Sequence, residues 1–239
     1  MNLCAWLMAA AFDWTLIVCA LAAAWFDCRW LPVAWFIVGN RQHALGILMH
    51  EAAHGNISRR RWLNDWTARL LAAWPLGLQL DGYTHFHLQH HTRLNLADDP
   101  EILFKLAHPA YFAPRAKWRI ACDLLGDLAF QSLAEIRTFY RLVGTDAEIV
   151  AVAFFWVQAA ILTTLAGGWW IVPFWAASFV SVAWAHNRLR IWLEHSGAPD
   201  VATWRIRLPR PLEWVLRPHN VGLHWEHHHT PKVAWWRLH

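Results

Sequence analysis

Four long apolar segments constrain the fold of this chain more than any other feature. They cover residues 4–26, 31–50, 148–167 and 169–186. A helix rises about 1.5 Å per residue, so about 20 residues cross the roughly 30 Å hydrocarbon core of a bilayer. Each segment is long enough to cross. The sequence therefore predicts an all-α integral membrane protein with about four transmembrane helices.

The composition supports a membrane location. The 239 residues are 57% hydrophobic and 16% charged, whereas soluble domains carry about 25% charged residues. The chain has 20 tryptophans, a residue type that is enriched where a membrane meets water. These tryptophans lie in apolar runs and not along a basic groove. The net charge of +4 therefore does not indicate a nucleic-acid partner.

The short connections between these segments predict how the helices are paired. Only residues 27–30 separate the first two spans, and only Gly168 separates the last two. Each pair is therefore expected to form a hairpin in the membrane. The two long pieces, 55–147 and 187–239, must then lie on one side.

The distribution of basic residues predicts which side that is. The two long pieces contain every Lys and Arg of the chain except Arg29 and Arg41. Cytoplasmic loops carry an excess of these residues, so the long pieces and both termini are expected to be cytoplasmic. We expect one multi-pass domain over residues 1–239, in which two membrane hairpins carry a cytoplasmic helical cap.

Some segments depart from simple lipid-facing helices. Residues 68–80 contain Pro75 and predict about half a span, and residues 118–143 predict one helix along the membrane interface. Asp13 in the first span is costly unless it is paired or lies near the interface. In the second span, His43 is expected to be buried and paired with Arg41, and the alternative is that it lines the path of the substrate.

The cysteines do not predict a disulfide framework or a thiolate metal site. They are scattered without CxxC spacing, and we interpret them as packing residues. The four positions are Cys4, Cys19, Cys28 and Cys122.

Three clusters of histidine lie near the predicted cytoplasmic ends of the spans. They read HEAAH at 50–54, HLQHH at 87–91 and HWEHH at 224–228. Residues three or four apart share one face of a helix, so each cluster can present its imidazoles to one place. With the isolated His195, the candidate metal ligands are His50, His54, His87, His90, His91, His195, His224, His227 and His228.

The size of this set predicts two metal ions. One zinc ion takes three or four ligands, so nine imidazoles are too many for one ion. Imidazole suits zinc, copper, iron and nickel alike, so ligand type leaves the metal open. HEAAH also matches the HExxH pattern of zinc peptidases, with Glu51 as general base. A peptidase explains only the first two histidines. A metal-binding membrane protein without catalytic activity is a further alternative.

In this order and around four spans, the three clusters resemble the histidine boxes of the membrane fatty acid desaturase superfamily. The flanking segments GNRQHALGILMHEAAHG, LNLADDPE and HNVGLHWEHHHTP are also similar to bacterial members. The resemblance runs from about residue 35 to residue 237. It implies that the nine histidines hold two non-haem irons, with O2 as co-substrate, and that hydrogens on unactivated carbons are removed or replaced.

The resemblance also implies a lipid substrate taken from the bilayer, with fatty acyl desaturation as the first expectation. Carotenoid ketolases and hydroxylases, and lipid or alkane hydroxylases, belong to the same superfamily and are the alternatives. At one position the chain departs from the animal acyl desaturases, which place an asparagine four residues before the isolated histidine to hold a metal-bound water. Here that position is Ile191.

The chain has no GxGxxG fingerprint for a flavin or a nicotinamide. Electrons are therefore expected from a partner protein, a ferredoxin or a b-type cytochrome with its reductase. The chemistry itself is expected at the metals. Acidic residues beside the histidine clusters are candidates to accept a hydrogen bond from a ligating imidazole. They are Glu51, Asp98, Asp99, Glu194 and Glu226.

Overall fold

The computed structural model describes residues 2–113, 116–195 and 203–238, without the side chains of residues 146 and 147. Within these ranges the chain is helical and contains no strand, which confirms the predicted all-α class. The α-helices are α1 (Asn2–Phe26), α2 (Leu31–Ala53), α3 (Arg61–Ala68), α4 (Leu80–Arg93), α5 (Pro100–Ala107), α6 (Lys117–Leu128), α7 (Leu133–Val143), α8 (Asp146–Leu165), α9 (Ile171–Ser178), α10 (Trp184–His195), α11 (Arg210–Leu216) and α12 (His224–His229).

In the part of the chain that the structure describes, two helices are long and apolar enough to cross a membrane. They are α1 and the Glu148–Leu165 part of α8. The predicted second span lies within α2, which carries a run of buried polar residues in its middle. The predicted fourth span lies in α9, a π-helical turn over Phe179–Ala183 and the start of α10. Four spans in two hairpins therefore stay a prediction.

A buried ion pair joins α1 to α2. Arg41 Nη1 lies 3.1 Å from Asp13 Oδ1, and His219 Nε2 lies 2.8 Å from the other carboxylate oxygen. The expectation that Asp13 is paired is thus confirmed. The expected Arg41–His43 pair is wrong, because α1 offers Arg41 a carboxylate, which binds a guanidinium more strongly than an imidazole does. The His43 ring instead lies 5.7 Å from that of His186.

A close contact between α2 and the π-helical turn positions the ends of α2 and α10. A Cβ atom on Gly39 would lie 2.5 Å from Val182 Cβ and 2.8 Å from the Ser178 carbonyl oxygen. Only glycine lets the two backbones come this near. Gln42 Nε2 also donates a hydrogen bond to the Trp175 carbonyl at 3.0 Å. This packing brings the histidines of α2 towards His195.

The single interfacial helix predicted over residues 118–143 is wrong, because the chain forms α6 and α7 with a break between them. Phe130 in the break has a φ of 64°, in the left-handed region. A buried ion pair accounts for the break: Asp127 accepts hydrogen bonds from Arg188 Nε at 2.6 Å and Nη2 at 2.7 Å. Ser132, just after the break, bonds to the same carboxylate. Non-local pairing here overrides the helical periodicity of the sequence.

Two further expectations are tested by local structure. Residues 68–80 form no continuous helix: a π-helical turn over Arg69–Ala73 leads to a short 3-10 turn over Trp74–Leu76. Gly77 then turns the chain with a φ of 70°.

The expected packing role of the cysteines is wrong, since all four are free and exposed.

Candidate metal centre

The structure brings all nine predicted histidines together from four separate helices. The C-terminal end of α2 and the residue that follows it supply two of them, α4 three, the last residue of α10 one and α12 three. Seven are buried, and only His91 and His228 are partly accessible. The nine imidazoles form two groups.

The first group consists of His50, His54, His87, His91 and His227, with one ring nitrogen of each within 4.8 Å of the others. The Nε2 atoms of His54 and His87 lie 2.8 Å apart. The Nε2 atom of His91 lies 3.0 Å from those of His87 and His227. The first two histidine clusters thus meet one residue of the third.

The second group contains the remaining four histidines. His90, His195 and His228 lie together, and His195 and His224 also lie together with Glu194. The Nε2 atom of His224 is 3.0 Å from those of His195 and His228. The isolated His195 therefore belongs to this group, as predicted from its position after the fourth span.

The spacing of these nitrogens fits shared metal ions. Two nitrogens at about 2.0–2.1 Å from one ion and at right angles to each other lie about 3.0 Å apart. Two buried Nε2 atoms, one in each group, have no hydrogen-bond partner among the described residues: those of His50 and His90. An ion bound in each group would use the lone pair of the Nε2 atom in that group. The residues present therefore fit two metal ions.

The environment keeps most of these imidazoles neutral, as metal ligation requires. Burial lowers the pKa of His54 to about 3 and that of His91 to about 4. Burial and neighbouring imidazoles hold the pKa values of His87, His224 and His227 well below the ordinary range. At neutral pH each of these five rings therefore has a lone pair available, and protons compete little with a metal.

One of the five acidic candidates contacts a ring nitrogen that faces away from the metal groups. His90 Nδ1 lies 3.0 and 3.1 Å from the carboxylate oxygens of Asp99. The ring therefore donates its N–H to Asp99 and keeps the Nε2 lone pair for the second group. Asp99 also accepts a hydrogen bond from the Glu101 backbone N–H and so caps α5.

The other acidic candidates have different partners. Glu51 accepts hydrogen bonds from Asn56 Nδ2 at 3.1 Å and the Trp235 N–H at 3.3 Å. Asp98 pairs with Arg93, and Glu226 pairs with Arg205.

Glu194 binds Arg190 at 2.7 Å through one oxygen and places the other 3.5 Å from His224 Nε2. Burial raises the pKa of Glu194 to about 7.

Glu101 is a site residue that the sequence did not indicate. Its Oε2 atom lies 3.6 Å from His90 Nε2 and 3.8 Å from His195 Nε2. In the sequence it follows Asp99 and Pro100, a pattern typical of a helix start. The helix-capping pattern gave no reason to expect Glu101 near a metal.

Among the described residues, the histidines that were not predicted as ligands lie outside both groups. His219 contacts Asp13, and His229 is exposed with its Nδ1 donating to the Trp225 carbonyl at 2.8 Å. His186 Nδ1 lies 2.8 Å from the Val182 carbonyl. These contacts are structural.

Comparison with known proteins places the chain in a family. The family model described as fatty acid desaturase matches residues 28–239. Dihydrorhizobitoxine desaturase of Bradyrhizobium elkanii is 26% identical, over 96% of this chain and 72% of that protein. The sn-1 oleoyl-lipid 12-desaturase of Anabaena variabilis is 23% identical, over 94% and 69%. A β-carotene ketolase of a Paracoccus species is 27% identical, over 88% and 76%.

These matches agree with the geometry of the site. The family match extends over all three histidine clusters and over His195. Its members are oxidoreductases that bind metal, and this chain has histidine groups that could hold it. The chain belongs to the fatty acid desaturase family.

Proposed function

We propose that this protein is an O2-dependent, non-haem diiron enzyme that oxidises an unactivated C–H bond of a lipid, most simply by desaturating a fatty acyl chain. The observation that carries the proposal is the meeting of nine imidazoles in two groups beside long apolar helices. When bound, the two irons would supply the activation of dioxygen and the removal of hydrogen from carbon.

The two groups would each hold one iron. The first ion would take His50, His54, His87, His91 and His227, and the second would take His90, His195, His224 and His228. The protein's part is to hold these rings in place around the ions. Carboxylates such as Asp99 orient individual rings from outside.

A cavity beside the second group supports a lipid substrate. Its walls combine aromatic rings with the charged side chains of Glu101, Arg190 and Glu194, and it reaches His90, His195 and His224. The aromatic residues are Phe86, Phe104, Phe139 and Trp184. A neighbouring cavity shares Phe139 and Trp184 and continues along aliphatic side chains. Those side chains are Met49, Leu76 and Leu78. An apolar chain lying through both cavities would hold its methylene groups beside the metals, and such positioning is a large part of catalysis.

Ketolation of a carotenoid is the second candidate. The Paracoccus β-carotene ketolase aligns with 88% of this chain, and 76% of its own length is covered. Hydroxylation of a lipid or an alkane would use the same metal groups. The position of the substrate carbon would then decide between a double bond and an added oxygen.

A zinc peptidase built on HEAAH gains no support from the geometry. Glu51 would have to activate a water, yet it is 2% exposed and bound to Asn56 and the Trp235 N–H. The two histidines that a peptidase would use, His50 and His54, belong to a group that contains three further histidines. We expect Glu51→Gln to retain its metal and substantial turnover, whereas loss of nearly all activity with metal retained would favour the peptidase.

The proposed topology keeps the predicted arrangement. Helices α1 and α8 would cross the membrane with two further spans, and the metal groups and both termini would face the cytoplasm. Because the chain has no fingerprint for a flavin or a nicotinamide, we propose that a ferredoxin or a b-type cytochrome with its reductase supplies electrons. Turnover by the purified protein with NADH alone would contradict that requirement.

Lipid and pigment profiling by mass spectrometry tests the proposed reaction. Cells would express the wild type, His227→Ala or His229→Ala. His227 belongs to the first metal group, whereas His229, two residues further along the chain, is exposed and lies outside it. We expect the wild type and His229→Ala to form a product lighter than its parent by two hydrogen atoms, and His227→Ala to form none.

The mass of the product separates the candidates. A product heavier by one oxygen atom would indicate hydroxylation, and a keto-carotenoid would indicate ketolation. Formation of the same oxidised product by His227→Ala would contradict the diiron proposal.

A further inference from the structure

Resting on the diiron proposal above, we infer that Glu101 is a tenth ligand of the centre, which binds the second ion through its Oε2 atom. The two histidine groups are unequal: the first has five imidazoles, whereas the second has four. Glu101 lies beside the smaller group. It would give each ion five protein ligands.

The distances support a shared ion more than a hydrogen bond. Glu101 Oε2 is 3.6 Å from His90 Nε2 and 3.8 Å from His195 Nε2. Both separations are too long for a hydrogen bond. Two donor atoms that each lie about 2.0–2.2 Å from one ion are about 3–4 Å apart at angles of roughly 90–130°. The oxygen and the two nitrogens are therefore spaced as neighbours around one ion.

One oxygen of the Glu101 carboxylate pairs with a lysine, and the other faces the histidines. The Lys105 ammonium lies 2.5 Å from Oε1, and the two side chains are only 4% and 16% exposed. This ion pair occupies one carboxylate oxygen and leaves Oε2 directed at the histidines. Asp99, which caps the same helix, holds the His90 ring. The start of α5 therefore supplies both the carboxylate and the orientation of a ring beside it.

On the side of the second group that faces the cavity, an apolar residue occupies a position where a polar side chain could have bound an ion or held a water. Ile191 on α10 lies one turn before His195 and lines the same cavity as Glu101. Its side chain can neither bind an ion nor hold a water. Glu101 lines the same cavity, and its carboxylate can bind an ion.

Charge gives a second reason for a carboxylate ligand. Nine neutral imidazoles provide no negative charge to offset two buried cations, and unpaired buried charge is costly. Carboxylate is also an established partner of histidine at non-haem iron. Glu194, the other carboxylate at this group, also pairs with a cation through one oxygen, and its second oxygen lies 3.5 Å from His224 Nε2. Glu101 Oε2 lies beside the Nε2 atoms of two rings, those of His90 and His195, and therefore carries the inference.

The test is metal retention by the purified full-length protein. Wild type, Glu101→Gln, Glu101→Asp and Lys105→Met would be loaded with ferrous iron, exposed to a chelator and assayed for iron per chain over time. Glutamine keeps the size of the side chain but removes its charge. Aspartate keeps the charge but shortens the reach, so it remains informative if Glu101→Gln fails to fold. Lys105→Met removes the ion pair and leaves the carboxylate in place.

We expect the wild type and Lys105→Met to keep both ions, and Glu101→Gln to keep only the first. Changes to groups that hydrogen-bond to metal ligands typically weaken metal binding by about 10- to 100-fold, and loss of a direct ligand should weaken binding of the second ion at least as much. Glu101→Asp should fall between the two. Mössbauer spectra should change for one iron and not for the other.

Two results would overturn the inference while leaving the diiron proposal intact. One is Glu101→Gln holding both ions with wild-type kinetics. The other is Lys105→Met losing the second ion as fast as Glu101→Gln, which would mean that the ion pair and not the carboxylate is required. A wild type that never holds two ions would overturn the diiron proposal and this inference together.

Discussion

Removal of the Asp13 carboxylate should cost more stability than removal of an exposed ion pair. Asp13 is fully buried between Arg41 and His219, with side-chain exposures of 0%, 6% and 8%. Asp13→Ala would leave the Arg41 guanidinium buried without its counter-ion. Breaking a buried pair in this way costs about 3–5 kcal/mol. For a chain of this size we therefore expect the Tm to fall by roughly 6–20 °C.

The assay is thermal unfolding of the purified protein in detergent, monitored by size-exclusion chromatography. Asp27→Ala is the matched control, because Asp27 pairs with Arg29 at the surface, where side-chain exposures are 31% and 87%. That control should leave the Tm nearly unchanged, since exposed pairs contribute little. The Asp13→Ala, Arg41→Met double variant should be more stable than Asp13→Ala, because no buried charge remains unpaired. Equal Tm values for Asp13→Ala and Asp27→Ala would refute this reasoning.

Two other substitutions test the packing that positions the histidines. Gly82→Val should abolish folding or metal loading, because a Cβ atom there would lie 1.8 Å from the Val143 carbonyl oxygen. Gly46→Ala is the control: a Cβ atom there has 3.9 Å of clearance, so this variant should behave as wild type in both assays. Arg188→Met should lower the Tm by an amount similar to Asp13→Ala, because it leaves the Asp127 carboxylate, which is 1% exposed, without its counter-ion. An unchanged Tm would show that this ion pair does not hold α6 against α10.

The set of histidines could be predicted from sequence because the signal is local. Spacings of three and four residues place His87, His90 and His91 on one helical face whatever surrounds them. Which ring joins which group depends on how the helices pack. Residues next to each other in sequence, His90 and His91, fall into different groups. That division could not be seen in the spacing alone.

Other features were missed because distant residues determine them. The break between α6 and α7 depends on Arg188, which lies 61 residues from Asp127. Arg41 was assigned a neighbour in its own helix, whereas its partner Asp13 lies on α1. Glu101 has the sequence context of a helix cap, and only the packing of α5 against α4 and α10 brings it to the second group. In each case a charged group finds a partner that is remote in sequence.

The iron content of the purified protein tests the central claim most directly. The wild type and His54→Ala would be purified after growth with iron and zinc both present, and each metal would be measured per chain. We expect about two irons per wild-type chain, one for each histidine group, and a loss of iron in His54→Ala, which lacks one ligand of the first group. A single zinc per wild-type chain, with no iron, would contradict the diiron centre.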